Sequence, residues 1–307
     1  LMKEIPDTPI YCTQNGIKSL KGQYHQDWNF VPVRTGDKLN LGKKEIIFIE
    51  APMLHWPDTM FSYLTGDNIL FSNDAFGQHY ASERMYNDLV NQAELYQEAI
   101  KYYANILAPF SKLVGKKINE VLSLNLPIDI ICPSHGVIWR EDPIQIVEKY
   151  QEWADDYQEN QITIIYDTMW NGTRRMAEAI ACGIKEVNED ITIKLFNSAR
   201  SDTNDIITEA FKSKAILVGS PTVNRVVLHS IAGLLGALRG LGFKNKKAAA
   251  FGTYGWSGES VKIITEELEK AGFEIIDQGI KTLWNPDEDS KQKCEEFGKR
   301  IGEILKA

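Results

Sequence analysis

The chain has 307 residues, 43% hydrophobic and 25% charged, and its 34 basic against 42 acidic residues give a net charge of -8. That length allows two domains with separate cores, while the acidic balance argues against nucleic acid or an anionic membrane surface as a partner. A mean hydropathy of -0.28, no apolar run of membrane length, no signal-peptide pattern and four dispersed cysteines without a CxxC pair (Cys12, Cys132, Cys182, Cys294) predict free thiols in a reducing cytoplasm.

The chain begins Leu1-Met2-Lys3 with no convincing start, and LMKEIPDTPIYC reads as the end of a helix entering a strand, so N-terminal truncation is expected. Short strands are predicted at Pro9 to Thr13, Asn29 to Val33, Lys44 to Glu50, Met60 to Leu64 and Ile69 to Ser72, with Gly-containing turns between several of them. A helical section follows from about Arg84 to Leu122, broken at Pro109. The run Ile128 to Cys132 then reads as a strand, and a helix is predicted from about Pro143 to Glu159. The polar stretch Asp155 to Asn160 marks the domain boundary, giving domains 1–159 and 160–307.

Three polar residues stand at strand ends in separate loops of the first domain. They are His55 in APMLHWPD, Asp74 in FSNDAFG and His135 in CPSHG. Imidazole with carboxylate at loop positions suits iron, zinc or manganese, although each residue taken singly reads first as a loop hydrogen-bonding group. His25, His79 and His229 have no comparable context, though His25 or His79 could line a pocket.

From residue 162 the pattern becomes strand and helix in alternation. Strands are predicted near 162–166, 191–197, 215–219, 247–252 and 273–281, and helices near 173–187, 203–212, 228–239, 258–271 and 288–305, which indicates an open parallel sheet of five strands. The stretch ITIIYDTMWNGTRRMAEAIACGI joins a β-branched strand to a helix with Met176, Ala177, Ile180, Ala181 and Ile184 on one face. Its loop, Thr168-Met169-Trp170-Asn171-Gly172-Thr173, puts hydroxyl and amide groups at a helix N-terminus, where unpaired N–H groups can take a phosphate. An ordinary capped helix has the same local pattern. No Gly-Lys-Ser/Thr ends the loop and no G-x-G-x-x-G occurs in it, which disfavours a Walker nucleotide site or a dinucleotide.

Two further loops follow apolar strands, as a doubly wound sheet with its ligand at the strand C-termini requires. One is Ser220-Pro221-Thr222-Val223-Asn224. The other is Thr253-Tyr254-Gly255-Trp256-Ser257-Gly258, aromatic and Gly-rich, which suits an isoalloxazine ring. The first of the three loops resembles the phosphate loop of flavodoxins, so FMN is the expected cofactor.

Taken together, MLHWPD, LFSNDAFGQHY, PSHGVIWR, YDTMWNGT and YGWSG resemble the flavodiiron proteins over essentially the whole chain. The resemblance implies an α/β chain: a partial metallo-β-lactamase-like α/β/β/α domain followed by a flavodoxin-like doubly wound sheet. It also implies a non-haem di-iron site in which His55 and His135 each bind one iron and Asp74 bridges both. The family's H-x-E-x-D-H motif would precede Leu1, and a rubredoxin module with two CxxC pairs does not follow within the chain, so a separate rubredoxin or similar donor is expected. The implied activity is reduction of nitric oxide to nitrous oxide, of dioxygen to water, or both. The implied assembly is a head-to-tail homodimer or a tetramer, with Trp56 and Trp256 as interface or ring-contact candidates against the alternative of core packing. Two other functions fit parts of the pattern: an electron carrier with a degenerate metal domain, and a di-zinc hydrolase that would leave the flavin loops without a purpose.

Overall fold

In the computed structural model the chain divides into two units, one running to Asp155 and one beginning at Asp156. The structure describes residues 2–306; ahead of the expected strand, Met2 to Asp7 form turns and not the end of a helix, and Leu1 lies outside the described residues.

The first unit opens with β1 (Ile10–Cys12), α1 (Gln14–Tyr24) and β2 (Phe30–Pro32), and β1 pairs with β2 in parallel. No helix was expected between these strands. α1 buries only Gly16, so it carries little apolar signal, and it starts because Thr13 Oγ1 accepts a hydrogen bond from Gly16 N. β3 (Lys38–Asn40), β4 (Glu45–Glu50), β5 (Met60–Leu64) and β6 (Ile69–Asn73) form an antiparallel meander. β3 is a further addition to the expected strands; it has three residues, two of them polar. β7 (Ile130–Pro133) extends the sheet parallel to β6, which brings the C-terminal ends of these two strands side by side.

The predicted helical section starts later than expected. α2 (Gln92–Tyr102) is capped by the Asn91 side chain, which accepts from Ala93 N and Glu94 N. Ahead of it, Asn87 is committed elsewhere: its N–H donates to Ile138 O and its side-chain oxygen accepts from Arg140 N and Glu141 N. The segment therefore bridges to 138–141 and forms only a single 3-10 turn (Asn87–Leu89) ahead of α2. A π turn (Tyr103–Leu107) and a 3-10 turn (Ala108–Phe110) holding Pro109 separate α2 from α3 (Ser111–Ser123), so the break at Pro109 is present. The helix expected to reach Glu159 stops earlier, as α4 (Ile144–Ala154). Asp156 has a φ of 48°, a left-handed conformation that cannot continue the helix, and Glu159 already belongs to the next strand.

The second unit alternates as predicted: β8 (Glu159–Tyr166), α5 (Gly172–Val187), β9 (Thr192–Asn197), α6 (Thr203–Lys212), β10 (Ser213–Gly219), α7 (His229–Leu241), β11 (Lys247–Tyr254) and α8 (Ser260–Lys270). The fifth strand differs from expectation, because β12 (Glu274–Ile275) and β13 (Ile280–Leu283) both pair in parallel with β11. Between them Asp277 Oδ1 accepts from Gly279 N, and Gly279 turns at φ 84°. α9 (Glu288–Lys306) ends the unit. Sheet order is β12-β11-β10-β8-β9, so the chain crosses from one side of β8 to the other after β9. The loops after β8 and β10 flank this reversal, where doubly wound sheets open a crevice. Behind the crevice α5 and α9 pack closely. A Cβ at Gly183 would stand 2.0 Å from Glu295 O, and one at Gly298 would stand 2.2 Å from Ile180 O.

Candidate functional site

In the first unit three strand ends converge on one carboxylate. The loop after β4 carries His55, the residue following β6 is Asp74, and the loop after β7 carries His135. His55 Nε2 lies 3.3 Å from Asp74 Oδ2, and His135 Nε2 lies 3.8 Å from Asp74 Oδ1. Ser134 Oγ donates to Asp74 Oδ1 at 2.9 Å. The other ring nitrogen of His135, Nδ1, stands 3.2 Å from the Gln78 carbonyl. A carbonyl only accepts, so this contact places an N–H at Nδ1 and turns Nε2 toward Asp74. An Nε2 lone pair and a carboxylate turned to one point can hold a cation between them.

The surrounding loops lock this arrangement. Gln78, wholly buried, donates to Phe76 O and accepts from Val137 N. Gly136 is forced by contact and by conformation: its φ is 81°, and a Cβ there would stand 2.3 Å from Gln78 Oε1. Behind His135 stand His79 and Tyr102, with ring centroids 5.3 and 4.9 Å away. Burial, with the Asp74 charge adding to it, raises the Tyr102 phenol above its ordinary value. Among the described residues no three His, Cys, Asp or Glu side chains close around one metal position. Instead Asp74 is shared by two pairs, one with each imidazole. His25 ends α1 in a left-handed conformation and His229 opens α7; neither joins this group.

In the second unit the three predicted loops enclose an open cleft of about 400 Å³. Thr168, Met169, Trp170 and Gly172 line it from the first loop; Pro221, Thr222, Val223 and Asn224 from the second; Thr253, Tyr254, Gly255 and Trp256 from the third. Trp284 and Asn285, after β13, complete the wall and were missed in the sequence. Their signal was available: Leu283-Trp284-Asn285-Pro286 follows a strand just as the other three loops do.

The remaining predicted residues support the cleft without lining it. Thr173 is buried, with its hydroxyl 3.1 Å from Thr253 Oγ1, so it ties the first loop to the third. Ser220 Oγ accepts from Leu228 N and donates to Pro221 O. Ser257 donates to Glu259, Asn171 precedes α5 at φ 62°, and Gly258 turns at φ 72° against the Tyr254 ring. Asn224 and Arg225 both have positive φ between Val223 and Val226, which exchange two backbone hydrogen bonds, forming a two-residue turn at the cleft edge.

The residues fit a phosphorylated flat ring. Thr168 Oγ1 is buried without a hydrogen-bond partner, an arrangement that costs free energy until an acceptor or donor arrives. The first N–H groups of α5 have no side-chain cap. Trp170 and Trp256 are 80% and 79% exposed, large apolar faces beside the cleft.

The profile described as Flavodoxin matches residues 164–298, and that described as ODP family beta lactamase matches residues 2–136. The crystal structure of the flavodiiron protein from Giardia intestinalis superposes with a TM-score of 0.90 at 31% identity, covering 97% of this chain and 73% of that one. Rubredoxin oxygen:oxidoreductase from Desulfovibrio gigas superposes with a TM-score of 0.93 at 34% identity, covering 97% and 75%. The chain belongs to the flavodiiron protein family. Its α/β fold is therefore a metallo-β-lactamase-like unit joined to a flavodoxin-like unit. Among curated relatives, the anaerobic nitric oxide reductase flavorubredoxin of Klebsiella pneumoniae is 56% identical over 303 residues, and an Escherichia coli flavorubredoxin is 55% identical. This flavodiiron chain spans 98% of its own length but 63% of theirs in those matches.

Proposed function

We propose that this flavodiiron chain is the catalytic body of an oxidoreductase that reduces nitric oxide to nitrous oxide, dioxygen to water, or both. The observation that carries the reading is Asp74, with one imidazole nitrogen at 3.3 Å from one oxygen and another at 3.8 Å from the other. A carboxylate so placed can bridge two cations, each also held by one histidine. His55 and His135 would hold one iron apiece, and Asp74 both. The Gln78 carbonyl fixes the His135 ring so that Nε2 points to the metal side. Tyr102, raised by burial, stays neutral and adds no charge beside Asp74.

In the cleft, the Thr168 hydroxyl and the free N–H groups of α5 would hold the phosphate of FMN, while Trp170, Tyr254, Trp256 and Trp284 would cover its ring and exclude water. When bound, FMN takes up and passes on single electrons, and the iron pair supplies the gas-reducing chemistry. A rubredoxin or similar protein is the proposed donor, by analogy with the names of the relatives. The assembly is a head-to-tail homodimer or a tetramer, with the flavin of one chain facing the irons of another. Its support is that Trp56 (58% exposed, its ring 5.9 Å from His55) and Trp256 are surface residues, which removes the core-packing alternative for both. Among the described residues no helix is long and apolar enough to cross a membrane; a cytoplasmic setting is part of the proposal.

The deciding experiment uses the full-length protein purified without oxygen. Iron and flavin content, the absorbance spectrum, and consumption of nitric oxide and of dioxygen with reduced rubredoxin are measured together. Two irons and one FMN per chain with gas consumption support the proposal. Flavin with neither iron nor gas uptake would leave an electron carrier, and two zincs without flavin a hydrolase. For the assembly, chains with His55→Ala and His135→Ala are co-expressed with chains whose flavin loops are damaged. Activity recovered in tagged mixed dimers supports transfer between chains, and its absence rules that out.

A further inference from the structure

We propose that a narrow apolar pocket beneath α3 is a holding site for an apolar diatomic gas, placed between solvent and the loops that carry His55 and Asp74. Its physiological identity as the gas store of the reductase rests on the function proposed above. Protein interiors pack tightly, with few voids larger than a water molecule. Here the centre of a water-sized molecule has about 20 Å³ in which to move, against roughly 10–15 Å³ needed to seat one water.

The wall is aliphatic and aromatic, including Leu54, Ala75, Phe76, Leu107 and Val114. A buried water needs two to four polar partners; the aliphatic wall supplies none and the unpartnered Tyr150 hydroxyl at most one, so the void favours an apolar guest. Leu54 precedes His55, and Ala75 follows Asp74. One end of the void is therefore built from the same loops as the proposed metal site.

At the other end the wall includes Leu122, partly exposed, and the stem of Lys117. The Lys117 ammonium reaches out to Glu120 Oε2 at 2.7 Å while its side chain stays largely covered. The stem lies over the void and the charge stays with solvent. A flexible side chain is a cover that can swing.

Two local irregularities shape the wall. Phe76 has a φ of 68°, rare for a bulky residue, and its ring lies 4.9 Å from that of Tyr150, another wall residue. Leu107 ends the π turn between α2 and α3, and such turns recur at functional sites.

The test pressurises crystals of the full-length holoprotein with xenon, an apolar probe without hydrogen-bonding groups, and follows thermal stability under the same pressure. Xenon density in the void, with a Tm that rises with pressure, is expected. Val114→Phe should fill the void and abolish both signals; if that variant does not fold, Val114→Leu provides the same test with less added volume. In stopped-flow assays the filled variant should lose kcat/KM for nitric oxide or dioxygen several-fold while kcat at saturating gas is kept. Absence of xenon from the wild-type void overturns the proposal. Xenon binding with unchanged kcat/KM for both gases in the filled variant overturns the role in gas supply. A wild-type protein that consumes neither gas defeats the proposed function instead, and the xenon experiment still decides whether the void binds an apolar guest.

Discussion

The His135 imidazole occupies the space that a side chain at residue 77 would need: a Cβ on Gly77 would stand 2.6 Å from His135 Cε1 and 2.9 Å from Nδ1. The ring cannot yield easily, because Nδ1 is held by the Gln78 carbonyl and the Tyr102 ring stands tilted against it, centroids 4.9 Å apart. Gly77→Ala should therefore turn His135 away from Asp74. We expect a loss of roughly 1–3 kcal/mol in stability, the usual range for overpacking, and a larger proportional loss of iron. Metal analysis beside thermal unfolding checks this; full iron content in a folded variant would show that the added methyl does not displace the His135 ring from Asp74.

Asp74 is shared and the histidines are not, which ranks three substitutions. Asp74→Ala should remove more iron from the full-length protein than His55→Ala or His135→Ala, since it loosens both positions rather than one. Iron stoichiometry by elemental analysis gives the order. Equal losses from all three would deny Asp74 the bridging place.

The buried, unpartnered Thr168 hydroxyl separates two roles that the flavin loop combines. Thr168→Val should leave the flavin-free protein as stable or more so, because it removes an unsatisfied group, and should weaken FMN by roughly 1–3 kcal/mol. Thr173→Val acts otherwise: it breaks the contact to Thr253 and should lower stability of the flavin-free form as well. Fluorescence titration with FMN and denaturant unfolding measure both. Unchanged FMN affinity in Thr168→Val would take this hydroxyl out of the phosphate site.

Lys246 is 3% exposed, and its Nζ donates to Tyr157 O and Ser213 O, each at 3.0 Å. Burial pushes its ammonium down from the ordinary 10.5 to about 7, against a smaller opposing pull from Asp156. A neutral amine still has two N–H donors, so both carbonyls remain satisfied after deprotonation. Between pH about 7 and 10.5 the unfolded state binds the extra proton, and stability contributed by this site rises with pH across that window. Wild type should gain on Lys246→Met by up to about 1.4 kcal/mol per pH unit there. Unfolding free energies of both proteins at several pH values test the slope; parallel curves would mean Lys246 stays charged when folded.

What the sequence determined by itself was local: which runs are buried strands and where the chain leaves them. Ile162 to Tyr166, Ala215 to Gly219 and Ala248 to Phe251 are built almost wholly of aliphatic, β-branched and aromatic residues, as strands covered on both faces are, and the residues after them line one cleft. The same reading placed His55, Asp74 and His135 at strand ends. It did not show that β6 and β7 run parallel, which sets Asp74 beside Ser134 and His135. Nor could it show that Asn87 bonds to residues 138–141, which delays α2 to Gln92, or that β12 and β13 share one partner, which carries Trp284 to the cleft. Only the tertiary structure decided which threonine hydroxyl is free, since Thr253 claims Thr173 and leaves Thr168 alone. Periodicity reports neighbours two to four residues apart, whereas a hydrogen-bond partner about 80 residues away is set by strand pairing and close approach.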